Sequence, residues 1–250
     1  MDNTNDVIIV TGAARGIGFA FAERLAQDGY TAVIFDLAGA EDAAARIRAA
    51  GGKSYGYSGS VTSEQDWDSM LAELSVKNVK IRGLVNNAAL FASLEMQPFM
   101  DVDRETWMKV MEVNTYGPFL AVQKVTPFMK EEGGAIVNIS STSPLKGVTG
   151  MPHYVVSKGA VLALTKSLAR ELGEHGIRVN TIAPGFTLSD GIMLNTEHVN
   201  KFRDIGKAAR SIKRDQQPAD LVGALSFLIG PDSGFITGQT LVVDGGAYFV

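Results

Sequence analysis

Tyr154 and Lys158 stand four residues apart, and the apolar run at residues 155–168 predicts a helix around them. At that spacing both side chains leave a helix on one face, one turn apart. A phenol titrates near ~10, so at neutral pH it keeps its proton and is a poor base. An ammonium group within reach favours the phenolate and lowers that value. The pair is therefore a candidate acid–base unit, with a working pKa for Tyr154 expected below the free value. The same spacing also occurs where a tyrosine ring only packs beside a solvated lysine, so its meaning depends on the elements that hold it.

Those elements begin at residues 7–10, Val-Ile-Ile-Val, a β-branched run expected of a strand buried on both faces of a parallel sheet. It leads into Thr11-Gly12-Ala13-Ala14-Arg15-Gly16-Ile17-Gly18 and then a helical pattern through Phe19, Ala22 and Leu25. Strand, glycine-rich turn and helix N-terminus together form an anion site. The backbone N–H groups and the helix dipole face a pyrophosphate, and the glycines allow close approach. The spacing is Gly-x-x-x-Gly-x-Gly, not Gly-x-Gly-x-x-Gly. The second strand, residues 31–35, ends in Asp36. An acidic residue about 20 positions after the glycines accepts hydrogen bonds from the adenosine ribose hydroxyls and repels a 2′-phosphate. Leu37 adds no compensating charge. Arg15 favours the phosphate, but a fixed carboxylate outweighs it, so the cofactor expected is NAD.

Further along, helices are predicted at 42–50 and 64–76, the latter turning Trp67, Met70, Leu71 and Leu74 inward. Strands follow at 53–57 and 81–85, the second opening into Asn86-Asn87-Ala88-Ala89. That tetrapeptide suits close contact with a cofactor and equally suits a polar turn. A long helix, 105–129, contains Asn114. A strand at 135–139 runs into Ser140-Ser141-Thr142-Ser143, with Pro144 and Gly147 in the loop that leads to Tyr154. A strand at 177–183 precedes Pro184-Gly185. Residues 186–214 show mixed polarity without clean periodicity and are expected to form a mobile lid. A helix at 219–229 and a strand at 240–243 complete the pattern, followed by Asp244-Gly245-Gly246. Strict alternation without a composition break predicts one α/β domain over 1–250. Its form is a Rossmann-type doubly wound sheet of seven parallel strands with helices on both faces.

Composition narrows the function classes. The 250 residues are 46% hydrophobic and 20% charged, which is globular, and long enough for a well-buried core. The net charge of −4, with no basic block, argues against nucleic acid as a partner. There is no cysteine, hence no disulfide or thiolate ligand, and the three histidines, His153, His175 and His198, lack metal-ligand spacing. The polar start, Met1 to Asp6, is unlike a signal peptide, and no apolar run reaches the ~18–20 residues that span a bilayer. The expectation is a cytoplasmic protein with no metal and no membrane partner.

In this order the motifs resemble the short-chain dehydrogenase/reductase family over the whole length. The matching residues are Thr11-Gly12-x-x-x-Gly16-Ile17-Gly18, Asn86-Asn87-Ala88, Asn114, Ser141, Tyr154-x-x-x-Lys158, Pro184-Gly185, and Gly238 with Val243-Asp244-Gly245-Gly246. The resemblance implies an oxidoreductase with Tyr154 as general acid/base. Lys158 would hold Tyr154 nearer to phenolate and bond the nicotinamide ribose. Ser141 would donate to the substrate oxygen, and Asn114 would interrupt its helix and hold a water that links Lys158 to solvent. It also implies cofactor contacts at Gly12, Arg15, Gly16, Ile17, Gly18, Asp36, Leu37, Ser60, Val61, Asn87, Ala88, Ala89, Tyr154, Lys158, Pro184, Gly185, Thr187 and Ser189, and a homotetramer. Three features depart from the family: Ser60 replaces an Asp beside the adenine, Ala89 replaces a Gly, and Thr187 with Ser189 replace an aliphatic residue and a Thr near the carboxamide. They bear on cofactor affinity, not on reaction class.

The reading that results is NAD(H)-dependent interconversion of a secondary alcohol and a ketone. Phe91, Leu94, Ser143, Leu145, Phe186 and Met193 are the candidate substrate contacts, and they suggest an apolar, aromatic or cyclic small molecule. The alternatives are an NADPH-dependent 3-oxoacyl reductase, opposed by Asp36, and a cofactor-binding sensor without turnover, opposed by the intact set of acid–base residues. An epimerase or dehydratase would need a larger C-terminal substrate region.

Overall fold

A computed structural model describes residues 6–77 and 79–249. The polar start at residues 1–5 and the terminal Val250 lie outside the described residues. The strands are β1 Asp6–Thr11, β2 Thr31–Asp36, β3 Lys53–Ser58, β4 Lys80–Asn86, β5 Gly134–Ile139, β6 Ile177–Pro184 and β7 Thr240–Val243. Their order is β3-β2-β1-β4-β5-β6-β7, and each neighbouring pair is parallel. This is the expected seven-stranded, doubly wound Rossmann-type sheet. The order reverses between β1 and β4, which opens a crevice at the C-terminal ends of those strands.

The helices are α1 Gly16–Gln27, α2 Ala40–Ala49, α3 Glu64–Val76, α4 Arg104–Met111, α5 Gly117–Met129, α6 Ser143–Lys146, α7 Pro152–Leu172, α8 Asp190–Met193, α9 Thr196–Ala209 and α10 Val222–Ile229. Side chains alternate across a strand, so β1 feeds two cores. Val7 and Ile9 pack with Trp67, Leu71, Leu120 and Leu168 beneath α3, α5 and α7. Ile8 and Val10 pack with Phe21, Leu25, Ile47 and Leu225 beneath α1, α2 and α10. Each such side chain removed from water contributes ~1.5–3 kcal/mol, which is why β1 is apolar at all four central positions, Val7 to Val10. Among the described residues no helix is long and apolar enough to cross a membrane.

Two expected elements differ. The long helix expected at 105–129 is α4 and α5 joined by a π-helical turn, Glu112–Tyr116, that carries the fully buried Asn114, at the interruption the resemblance implied. A single extra residue in the turn displaces Asn114 from the regular ladder and lets its amide serve other backbone groups. The segment 186–214, expected as an irregular lid, is largely helical in α8 and α9. Its inward face is built on His198, Phe202 and Gly206, four residues apart. A histidine and a glycine add little hydropathy, so the helical period is nearly silent in the sequence.

A polar ladder runs through the sheet beneath α7. Asn86 Nδ2 donates to Asn138 Oδ1 at 2.9 Å, Asn138 Nδ2 donates to Thr165 Oγ1 at 2.9 Å, and Thr165 and Thr181 share a bond at 2.7 Å. It joins β4, β5 and β6 to the helix that bears Tyr154. Asn138→Leu would leave the Asn86 amide only its long bond to the Pro118 carbonyl, 3.4 Å, in a dry interior. An expected loss of ~1–3 kcal/mol follows, read as a lower urea midpoint at unchanged m-value. An unchanged midpoint would show that the ladder contributes nothing to stability.

Candidate active site

The glycine loop is set by its own backbone. Gly12 and Gly16 sit at φ of 62° and 61°, where a side chain is strained. A Cβ on Gly18 would lie 2.3 Å from the Gly12 carbonyl oxygen and 2.5 Å from Asn87 Nδ2. Arg15 caps α1 without a side-chain hydrogen bond, so the first-turn N–H groups remain available to an anion. Asn87 holds the loop to β4: its Nδ2 donates to the carbonyls of Thr11 and Gly12 at 2.9 and 2.8 Å. In return Thr11 Oγ1 accepts from the N–H groups of Asn87 and Ala88, each at 3.1 Å.

Asp36 ends β2 at the rim of the same crevice. Its Oδ2 accepts the Ala14 N–H at 2.9 Å, which fixes the carboxylate against the loop. Leu37 beside it is exposed, as is Arg15. Ser60 Oγ is 2.9 Å from Thr62 Oγ1 and accepts the Thr62 N–H at 3.3 Å, so this hydroxyl is largely engaged within its own turn.

The chemistry-bearing residues stand where β5 meets α7. Ser140 Oγ donates to the Lys158 carbonyl at 2.7 Å, and Lys158 Nζ donates to the Ile139 carbonyl at 2.8 Å. These two bonds fasten the strand end to the helix and bring Ser141, Tyr154 and Lys158 to one wall. α7 begins at Pro152, earlier than residue 155, so Tyr154 lies in its first turn. Phe91 covers the Tyr154 ring with centroids 4.6 Å apart. Asn114, buried in the π turn, grips Leu90 at both ends: its Oδ1 accepts the Leu90 N–H at 2.7 Å, and its Nδ2 donates to the Leu90 carbonyl at 3.1 Å. The same Nδ2 donates to Ser157 Oγ at 3.1 Å. Its connection to Lys158 is therefore indirect, through the neighbouring residue of α7.

The expected fall of the Tyr154 pKa is not produced by the protein's own groups. Burial pushes the phenol up to about 12, offset in part by the Ser141 hydroxyl. Burial draws Lys158 down to about 8, and its ammonium lies 6.0 Å from the tyrosine ring centroid, directed at a carbonyl. Desolvation outweighs the attraction that sequence spacing suggested.

Opposite this wall, β6 and the segment after it close the crevice. Pro184 accepts the Thr142 N–H on its carbonyl at 3.0 Å, and the Gly185 N–H donates to Val243 at 3.1 Å. Thr187 pairs with Gln216 as a short parallel bridge, and Ser189 approaches Gly16 across the crevice. The cleft encloses about 720 Å³. All eighteen expected cofactor contacts line it, from Gly12, Arg15, Gly16, Ile17, Gly18, Asp36 and Leu37 at one end to Tyr154, Lys158, Pro184, Gly185, Thr187 and Ser189 at the other.

Of the expected substrate contacts, Phe91, Ser143 and Phe186 line the cleft, while Leu94, Leu145 and Met193 do not. Leu94 is buried against Val110 and Met151 behind the wall. Residues 143–146 form one helical turn, which puts Ser143 and Lys146 on the cleft side and turns Leu145 away. The single turn of α8 likewise presents Ile192 inward and leaves Met193 half exposed. Sequence reasoning also missed Val148, Met151 and Phe202, which complete the apolar wall, and the Lys146–Asp244 ion pair at 3.2 Å. The Asp244-Gly245-Gly246 turn was the one available signal for that pair.

Comparison with known proteins agrees with this geometry. A family model described as enoyl-(acyl carrier protein) reductase matches residues 12–248. A 3-oxoacyl-(acyl-carrier-protein) reductase of Staphylococcus epidermidis is 34% identical over 249 residues, covering 98% of this chain and 99% of that one. A cyclopentanol dehydrogenase of a Comamonas species is 34% identical over 256 residues, covering 98% of each chain. A solved structure, of a proposed gluconate dehydrogenase from Agrobacterium tumefaciens, superposes with a TM-score of 0.92 at 30% identity, over 100% of this chain and 98% of that one.

Proposed function

The chain belongs to the short-chain dehydrogenase/reductase family of oxidoreductases, and within it we propose that it is a single-domain NAD(H)-dependent enzyme interconverting apolar cyclic or aromatic secondary alcohols and their ketones. The observation that carries this reading is one cleft with a pinned Asp36 carboxylate at one end and the Ser141, Tyr154 and Lys158 wall at the other. The open N-terminus of α1, the glycine loop and Asp36 fit a dinucleotide. Gly12, Arg15, Gly16, Ile17 and Gly18 would hold its pyrophosphate, and Asp36 its adenosine ribose. When bound, the nicotinamide accepts or returns the hydride and, oxidised, adds a positive charge to the site.

The remaining work falls to the chain. Phe91, Met151, Phe186, Ile192 and Phe202 exclude water and orient an apolar substrate against Tyr154, and residues 186–214 serve as its lid. Ser141 donates to the substrate oxygen as charge develops there. Tyr154 Oη takes the alcohol proton in oxidation and returns one in reduction. Lys158, cationic below about 8, favours the phenolate electrostatically and reaches for the nicotinamide ribose. The relative named as a cyclopentanol dehydrogenase supports a cyclic substrate. The relative named as a 3-oxoacyl reductase supports a second reading, reduction of 3-oxoacyl thioesters with NADPH. Asp36 opposes that cofactor, because its carboxylate meets a 2′-phosphate.

A homotetramer is part of the proposal. Met108, Tyr116, Phe119, Phe128 and Val156 are exposed on α4, the π turn, α5 and α7, and Phe235, Leu241 and Phe249 are exposed around β7. Light scattering at micromolar concentration should give a mass near four chains; a mass of 26.6 kDa would refute it.

Cofactor choice is tested by comparing NAD with NADP on a panel of cyclic and aromatic alcohols, and NADH with NADPH on a 3-oxoacyl thioester. NAD(H) should win by at least ~1.4 kcal/mol, tenfold in kcat/KM. Asp36→Ala should narrow the gap, with Arg15 then free to meet the phosphate. Equal efficiency with the phosphorylated cofactor sinks the preference.

The acid/base role is tested by Tyr154→Phe, which keeps the ring and removes the proton site. Turnover should fall ~10²–10⁴-fold with cofactor affinity nearly unchanged. Oxidation needs Tyr154 unprotonated, so its rate should rise with pH through the working pKa while ketone reduction falls. Burial sets that value high; the Ser141 hydroxyl lowers it in part, and the charges of Lys158 and the oxidised cofactor lower it further. Lys158→Ala should therefore lose turnover, push the oxidation limb to higher pH and weaken NAD binding. A Phe variant that keeps more than about a tenth of the turnover is incompatible with the role.

A further inference from the structure

The geometry points to Ser143 as the positioning residue that aims the Ser141 hydroxyl: it donates to Ser141 Oγ through both its backbone N–H and its own hydroxyl, leaving the one Ser141 proton for the reacting oxygen. This rests on the reading of Ser141 as the donor to the substrate oxygen. The two hydroxyl oxygens are 2.5 Å apart, and the Ser143 N–H donates to Ser141 Oγ at 3.1 Å. The oxygen separation alone leaves the direction of the O–H bond open, and the count of donors and acceptors closes it.

A serine hydroxyl has one proton and two lone pairs. One lone pair of Ser141 Oγ already takes the Ser143 N–H. If Ser141 gave its proton to Ser143, the Ser143 proton would find no protein acceptor among the described residues and would be left to the little cleft water that meets a residue only 7% exposed. Ser141 would then turn a lone pair, not a proton, toward the cleft. If Ser143 donates, its proton is satisfied and both Ser141 lone pairs are filled. The Ser141 proton must then leave the α6 turn toward the cleft, which Ser141 lines together with Tyr154. Two donors converging on one oxygen also polarise its O–H bond, which strengthens it against a developing alkoxide.

The loop keeps Ser143 in register for this. The Thr142 N–H donates to the Pro184 carbonyl at 3.0 Å, and the Gly147 N–H donates to the Ser143 carbonyl at 2.9 Å. Pro144, next in α6, fixes the backbone that follows. Ser143 therefore acts through Ser141 and is distinct from the apolar wall that selects the substrate.

The test compares wild type, Ser143→Ala, Ser143→Thr and Tyr154→Phe, using NAD and the alcohol that the wild type turns over fastest in the panel above. Melting temperature and NAD affinity are measured on each. Ser143→Ala should fold, bind NAD as tightly as wild type and lose about tenfold in kcat with KM little changed. Its oxidation profile should move to higher pH, because a less well-directed Ser141 stabilises the phenolate less. Ser143→Thr retains the hydroxyl and should restore kcat to within about threefold, and its pH profile should match the wild type. A Ser143→Ala enzyme with wild-type kcat and pH profile overturns the proposal. So does one that changes KM alone, which would make Ser143 a substrate contact, and so does a folded Thr variant no better than Ala. If Ser143→Ala does not fold, the Thr variant decides by its pH profile. If Tyr154→Phe retains turnover, the acid/base reading fails, a result separable from the Ser143 outcome. A wild type that oxidises no alcohol in the panel overturns both.

Discussion

The reciprocal clamp between β5 and α7 is the contact on which the site depends. Ser140 gives its proton to the Lys158 carbonyl, and Lys158 gives one of its protons to the Ile139 carbonyl. A strand end and a helix start have no reason of their own to stay in register. These two bonds supply it, in an interior where an unmade buried bond costs ~1–3 kcal/mol. Ser141 follows Ser140 by one residue, and Tyr154 precedes Lys158 by one turn. Both side chains are thereby fixed against each other without a contact of their own needing to be strong.

The rest of the fold supports that clamp from beneath and from the side. The Asn86, Asn138, Thr165 and Thr181 ladder ties the central strands to the underside of α7. Asn114 ties the loop after β4 to Ser157 on the same helix, and it needs the π turn to do so. Apolar burial on both faces of the sheet stabilises the layers, but it does not choose among registers of a helix over a strand. The buried amides and hydroxyls do, because each has few geometries in which its bonds are complete.

Electrostatics at the site is a balance in which burial comes first. Tyr154 and Lys158 are both taken from water, and both are pushed toward their neutral forms. A phenol near 12 is no base at neutral pH, so the acid–base pair is complete only with further positive charge or further donors beside Tyr154. Ser141 is such a donor, and the Ser143 hydroxyl and amide set how well it serves. At the other end of the cleft, Asp36 is held by the loop amide of Ala14, so its carboxylate is fixed in place at the rim.

The sequence by itself determined the sheet and its chemistry-bearing residues. Continuous β-branched runs such as 7–10 bury on both faces, and the glycine loop after β1 leaves few other conformations. Tyr154 and Lys158 share a helical face by spacing alone. These are local properties, set by backbone sterics, the 3.6-residue period and side-chain type. The tertiary structure decided everything that depends on what surrounds a group. It broke the 105–129 helix at Asn114, because the amide's partners, Leu90 and Ser157, are distant in the chain. It made 186–214 helical on a face of His198, Phe202 and Gly206 that hydropathy does not mark. It turned Leu145 and Met193 away and brought Met151, Ile192 and Phe202 in, because one turn of helix separates neighbours that a loop reading treats alike. It also set burial, which raises the Tyr154 pKa, against the charges expected to lower it, since spacing reveals the charge nearby but not the water removed.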